Sequence, residues 1–238
     1  MARLGDTEED VQKEKRQSTG GDINLKEELR FGQRLHDDVI NTFCDKLRAV
    51  CPERLEAFMA IQYVTIGETD DVRKLVTGNY PAIQVLYDSS RSHYVLVHYN
   101  KDLHEVELFD SMQQWDNAGM PEIPADLSSQ ICRLFGHLYT EYVPCIVDRE
   151  YEQQHDGFSC GVRAVAALVD IVLQRNPATR TYSRFAVLEM MRTVLADPNP
   201  TWTIFEAAEF GFAKNYSGQQ RVCICLLDDA YNPSSAPS

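Results

Sequence analysis

No Cys-x-x-Cys pair occurs in the chain although it carries seven cysteines, so the spacing that builds a zinc ribbon is missing. Cys44, Cys51, Cys132, Cys145, Cys160, Cys223 and Cys225 are odd in number and irregular in spacing, which argues against a disulfide framework. There is no run of ~18 apolar residues, so no membrane span is expected. The N-terminal residues are polar and charged, without the apolar segment of a signal peptide. These absences together predict an intracellular location, cytoplasmic or nuclear. Basic residues are scarce: 23 Lys and Arg against 36 Asp and Glu leave a formal net charge of −13. Such a surface repels phosphates, which argues against nucleic-acid binding. It keeps the protein in solution and suits a basic partner.

What is present is the material of one large domain. Hydrophobic residues make up 44% of the 238 and charged residues 25%, enough to bury a core without staples. Residues 1–24 carry Glu8-Glu9-Asp10 and Ser18-Thr19-Gly20-Gly21 and read as a disordered arm. Residues 231–238 read as a flexible tail, which leaves 25–230 as the folded part. There are no internal repeats. Asp37 is placed to cap a helix through Ala49, with Val39, Phe43, Leu47 and Val50 at helical spacing toward the core. Residues 82–87 read as a strand. Residues 93–99 and 104–110 read as a hairpin joined at Asn100-Lys101-Asp102-Leu103, and Val143–Val147 as a further strand. Helices are expected over Leu127–Tyr139, Cys160–Gln174 and Phe185–Leu195. The second is apolar on nearly all sides and so central. Cys223 and Cys225 alternate with Val222, Ile224 and Leu226 as on a strand. Strands in the middle with helices around them give an α+β domain.

Four residues have the makings of a thiol hydrolase site. Centring the turn between Lys101 and Asp102 sets His93 opposite Asp110, where directly opposed Cβ atoms lie ~4.5–5.5 Å apart. That is the reach an aspartate needs to bond an imidazole, fix its tautomer and stabilise its charged form. Cys160 opens the apolar helix, whose N-terminal N–H groups favour a thiolate. Gln154 offers a side-chain amide to an oxyanion. Taken singly, each has a plainer reading: a histidine at a strand start is usually solvated, an aspartate before Ser111 usually caps a turn, and a helical cysteine is usually core. Their coincidence is what carries the reading. His155 is a second candidate base, although it lies too near Gln154 in the chain to reach back well. Alternation places His98 on the opposite face from His93, and His104 belongs to the turn, so no metal is expected at these histidines, and no cofactor.

His93-Tyr94, Asp110-Ser111 and Gln154 followed after five residues by Cys160-Gly161 resemble, in order and spacing, the ubiquitin-like-protein-specific cysteine proteases, the SUMO/sentrin protease family. The resemblance covers about residues 30 to 195, and Leu35-His36-Asp37-Asp38-Val39-Ile40-Asn41 is similar to the family's Trp-Leu-Asn-Asp segment. It implies a papain-like cysteine protease fold, with a central mostly antiparallel sheet flanked by helices. It also implies a thiol peptidase or isopeptidase acting on a ubiquitin-like protein or its conjugates. His93 would be base and acid, Asp110 its orienting partner, Cys160 the nucleophile and Gln154 an oxyanion donor. Arg34, Asp37 and Tyr94 would line the substrate tunnel. Arg34 and Tyr94 stand where the family has the two tryptophans that flank this tunnel, and Ser159 stands where it has an acidic residue. The site thus retains its reacting residues while the tunnel is altered. An effector-type acetyltransferase on a related scaffold and a non-cutting decoy that binds a ubiquitin-like protein remain the alternatives.

Overall fold

The computed structural model describes residues 29–227. The expected arm, the expected tail and the domain limits at 25 and 230 lie outside them. Helix α1 (Asp37–Val50) leads to β1 (Glu56–Ala57), α2 (Ile61–Ile66) and α3 (Thr69–Lys74). Strands β2 (Ala82–Asp88), β3 (His93–Asn100) and β4 (Glu105–Phe109) follow, then the short pair β5 (Gln114–Trp115) and β6 (Pro121–Glu122), and α4 (Ala125–Phe135). Strand β7 (Val143–Asp148) precedes α5 (Cys160–Val172). Then come β8 (Arg180–Tyr182), α6 (Arg184–Ala196), α7 (Trp202–Glu206), β9 (Gly211–Ala213) and β10 (Arg221–Leu226).

Six strands form one sheet in the order β1-β2-β3-β4-β7-β10. The β1–β2 and β4–β7 pairs are parallel and the other three antiparallel. This is the expected α+β architecture. The sheet separates two cores. Ile83, Val85, Tyr94, Leu96 and Phe109 join α1, α5 and α6 on one side. Ala82, Leu86, Val95, Val97, Tyr99, Val106 and Leu108 join α4 on the other. Because β3 is covered on both faces, its sequence runs His-Tyr-Val-Leu-Val without a polar alternation. Burying each such aliphatic side chain contributes roughly 1.5–3 kcal/mol. Gln84 is a buried polar residue within β2: its amide is satisfied by Met59 N–H at 2.8 Å and by the Met59 and Val85 carbonyls at 2.9 Å.

Helix α5 packs against β3 and α6, and twelve of its thirteen residues are buried, so it is central as its sequence implies. The β3–β4 hairpin differs from the expected register by two residues. Val97 faces Leu108 rather than Val106, and Tyr99 faces Val106 rather than His104. The turn sits one residue later because Asn100 Oδ1 accepts the Leu103 N–H at 3.2 Å and His104 takes a positive φ of 52°. A two-residue slip preserves the face of every side chain, so His93 and Asp110 stay on one side of the hairpin as diagonal rather than direct neighbours. Asp37 likewise is the first residue of α1 rather than its cap; His36 takes that place with no side-chain cap bond.

Candidate functional site

The fold brings four chain segments to one end of the sheet. His93 is the first residue of β3, Asp110 follows the last residue of β4, Gln154 lies in the loop after β7, and Cys160 is the first residue of α5. His93 Nε2 lies 2.7 Å from Asp110 Oδ1, with both side chains 1% exposed. The bond that direct opposition was expected to supply is therefore made diagonally across the hairpin end. Asp110 Oδ1 also accepts the Met112 N–H at 2.7 Å. With Nε2 occupied, Nδ1 is the ring nitrogen left for another partner. It is buried with no hydrogen-bond partner of its own, and Cys160 lies near enough for the thiol and this imidazole to shift each other's ionisation.

The electrostatics run one way through the three groups. Burial opposes ionisation of Cys160. It is outweighed by the bond to His93, the Tyr94 N–H, the imidazolium charge and the Gly161 N–H, so the thiol's pKa falls below its ordinary value. Burial also opposes charge on His93, yet the bonds to Asp110 and Cys160 push it up to about 9. The Asp110 carboxyl stays below the usual carboxylate range despite its burial, held there by His93, Arg91 and the Met112 N–H. Both shifts favour the thiolate–imidazolium form of the pair over the neutral one. Burial instead drives the Cys44 thiol up to about 12, and Cys51, Cys145 and Cys223 also shift upward.

Gln154 is fixed beside Asp110 by its backbone and side chain. Its N–H donates to Ser111 O at 2.7 Å, and its Oε1 accepts from Ser111 Oγ at 2.8 Å. With the carbonyl oxygen occupied, the amide nitrogen faces the other way and gives one hydrogen to Asp156 O at 2.7 Å. Asp156 Oδ1 in turn accepts the Phe158 and Ser159 N–H groups at 3.0 and 2.8 Å, shaping the loop into α5, and its other oxygen pairs with Arg184.

The three expected tunnel residues all border this centre. Tyr94 OH donates to Asp37 Oδ1. Arg34 is exposed, with Nε 2.6 Å from Gly157 O and Nη1 3.2 Å from Ser92 O. It thus links the loop that leads into Cys160 to the residue before His93. Gly161 is where the N-terminal segment closes down: a Cβ there would lie 3.2 Å from Leu35 Cβ and Ile40 Cδ1 and 3.3 Å from Tyr94 Cδ2. His155 is exposed. His98 pairs with Glu107 at 2.9 Å and His104 bonds Tyr99 OH at 2.9 Å in the turn. Among the described residues, no group of three His, Cys, Asp or Glu side chains is placed to hold a metal ion. Among them, too, no helix is long and apolar enough to cross a membrane.

No protein-family model matches the sequence, and no curated protein matches it. Solved structures do. The SUMO protease Ulp1 with its catalytic cysteine oxidized to a sulfinic acid aligns at a TM-score of 0.54 and 16% identity, over 87% of this chain and 97% of that one. The same protease with a sulfonic acid there gives 0.52 and 14%, over 81% and 94%. The Ulp1 protease domain in complex with Smt3, the yeast ortholog of SUMO, gives 0.51 and 15%, over 72% and 79%. The chain has the Ulp1 protease fold. Identities this low carry the fold alone, so the chemistry rests on this chain's own side chains.

Within the Ulp1 fold, sequence reasoning missed Arg91, Ser111 and Asp156 as partners of the site. Arg91 reaches Asp110 across nineteen positions, a contact with no periodic signature. Asp156 had a readable signal: an Asp-Gly pair just before a helix start favours an Asx turn.

Proposed function

We propose that the protein is a thiol peptidase or isopeptidase that releases a ubiquitin-like modifier, SUMO-like or related, from conjugates or precursors. The observation that carries this reading is the buried His93 with Asp110 at 2.7 Å on one nitrogen, the other nitrogen unpartnered, and the Cys160 thiol close enough to be shifted by this ring. The Cys160 thiolate attacks the carbonyl carbon at the modifier's C-terminus. Negative charge then develops on the carbonyl oxygen, and the Gln154 amide and the Cys160 N–H are the donors offered to it. The His93 imidazolium gives its proton to the departing amine, and a thioester remains on Cys160. His93, now neutral, takes a proton from water, whose oxygen attacks the thioester and regenerates the thiolate. Asp110 holds the ring and balances its charge throughout.

Gln154→Ala is expected to lower kcat about 100- to 1,000-fold, the usual loss for one oxyanion donor, with little change in KM. Steady-state kinetics of the variant checks this; equal losses in kcat and in folded fraction would point to the Ser111 and Asp156 bonds instead. The function itself is tested with a panel of ubiquitin-like proteins bearing a C-terminal fluorogenic amide. Hydrolysis of at least one member is expected. Binding without turnover by fresh reduced protein would favour the decoy, and protein acetylation that depends on acetyl-CoA would favour the transferase.

A further inference from the structure

Asp110 has a second partner that the reaction scheme does not use. Arg91 lies in the turn between β2 and β3, two residues before His93, and its Nη2 is 2.7 Å from Asp110 Oδ2. The Asp110 carboxylate is thereby split: Oδ1 serves His93 and the Met112 N–H, while Oδ2 serves Arg91. The same guanidinium pairs through Nε with Asp88 at the end of β2, and its Nη1 donates to Met112 O at 3.1 Å. Asp88 is fully buried and also accepts from Ser90 N–H and Oγ at 3.0 and 2.6 Å, so the turn presents Arg91 rigidly. We infer that Arg91 is a positioning residue of the site, orienting the Asp110 carboxylate toward His93 and supplying the countercharge that sets the pH range over which Cys160 is a thiolate.

Charge bookkeeping along the line gives the sign. Asp88, Arg91, Asp110, His93 and Cys160 alternate negative and positive. Tyr151 flanks Asp110 and Tyr94 flanks Cys160, both phenols whose pKa burial raises and which stay neutral; Asp37 accepts from Tyr94 OH. Removing the Arg91 charge makes the potential at the site more negative. A thiolate becomes harder to form and an imidazolium easier to keep, so both titrations move to higher pH. Removing the Asp88 charge does the opposite. An arginine that only braced the turn would change rates without moving either titration.

The inference rests on His93, Asp110 and Cys160 being the reacting set, and the test separates the two claims. The rate of Cys160 alkylation by iodoacetamide is followed against pH by mass spectrometry of its peptide, which needs no modifier. In the wild type, a reactive thiolate persisting well below the pH of a free thiol supports the reacting set, and its absence would overturn that reading. Arg91→Met is expected to move the acid limb up by about half a pH unit or more, with Arg91→Lys restoring most of the shift. Asp88→Asn, which keeps Arg91 and an acceptor for Ser90, is expected to move it down, and this variant decides the matter if Arg91→Met does not fold. Limbs unmoved in the folded variants, with a normal wild-type profile, would overturn the role of Arg91 alone.

Discussion

Cys160→Ala is expected to abolish turnover, lowering kcat/KM on the order of 10,000-fold or more, while the protein stays folded. The loss is large because the substitution removes the atom that forms the covalent bond. What remains is the oxyanion donors and substrate contacts, which by themselves give only a small fraction of the acceleration. Stability should change little. Alanine fits the first position of α5, where Cys160 is buried with 3% exposure, and the departing group is a single sulfur. Kinetics on a cleaved modifier, alongside a thermal melt, checks both halves. A variant that keeps a measurable fraction of wild-type turnover would place the nucleophile elsewhere.

His93→Ala should be almost as damaging, with kcat falling about 100- to 10,000-fold. The reason is two losses at once. No group remains to protonate the leaving amine, and the thiolate loses its main stabilising partner while burial, which raises the Cys160 pKa, persists. The pH profile of the wild type follows from the same pair. Thiolate and imidazolium coexist between the depressed Cys160 pKa and the His93 value of about 9. Activity should therefore rise as Cys160 loses its proton, at a pH below that of an ordinary thiol, and decline as pH passes about 9 and the ring can no longer donate. In His93→Ala the acid limb of Cys160 alkylation should instead move to higher pH, because the thiolate has lost its largest stabilising partner. A flat profile for the wild type between pH 8 and 10, on a scale set by that expected limb, would break the link between His93 and proton transfer.

The parts of the fold that were legible in the sequence are those with a strong local pattern. Val39, Phe43 and Leu47 mark α1 at helical spacing, and all three are buried. The apolar run after Cys160 marks α5 and its central place. The short elements were invisible: β1, α2 and α3 are two to six residues long, too short for a period to register. The hairpin shows the limit differently. His93 and Asp110 do meet, but the register that brings them together is set by the Asn100–Leu103 bond and by the positive φ of His104, which the spacing of apolar residues does not encode. Likewise, nothing in the sequence pairs Arg34 with the carbonyls of Ser92 and Gly157. That contact exists because the fold lays the segment before α1 across two loops.

The most direct measurement is to treat the protein with a ubiquitin-like modifier carrying an electrophile at its C-terminus and to map the adduct by mass spectrometry. The expected result is a single adduct on Cys160, lost in Cys160→Ala and strongly slowed in His93→Ala. An adduct on the exposed Cys223 or Cys225, or labelling that survives unchanged in Cys160→Ala, would contradict the assignment of the site.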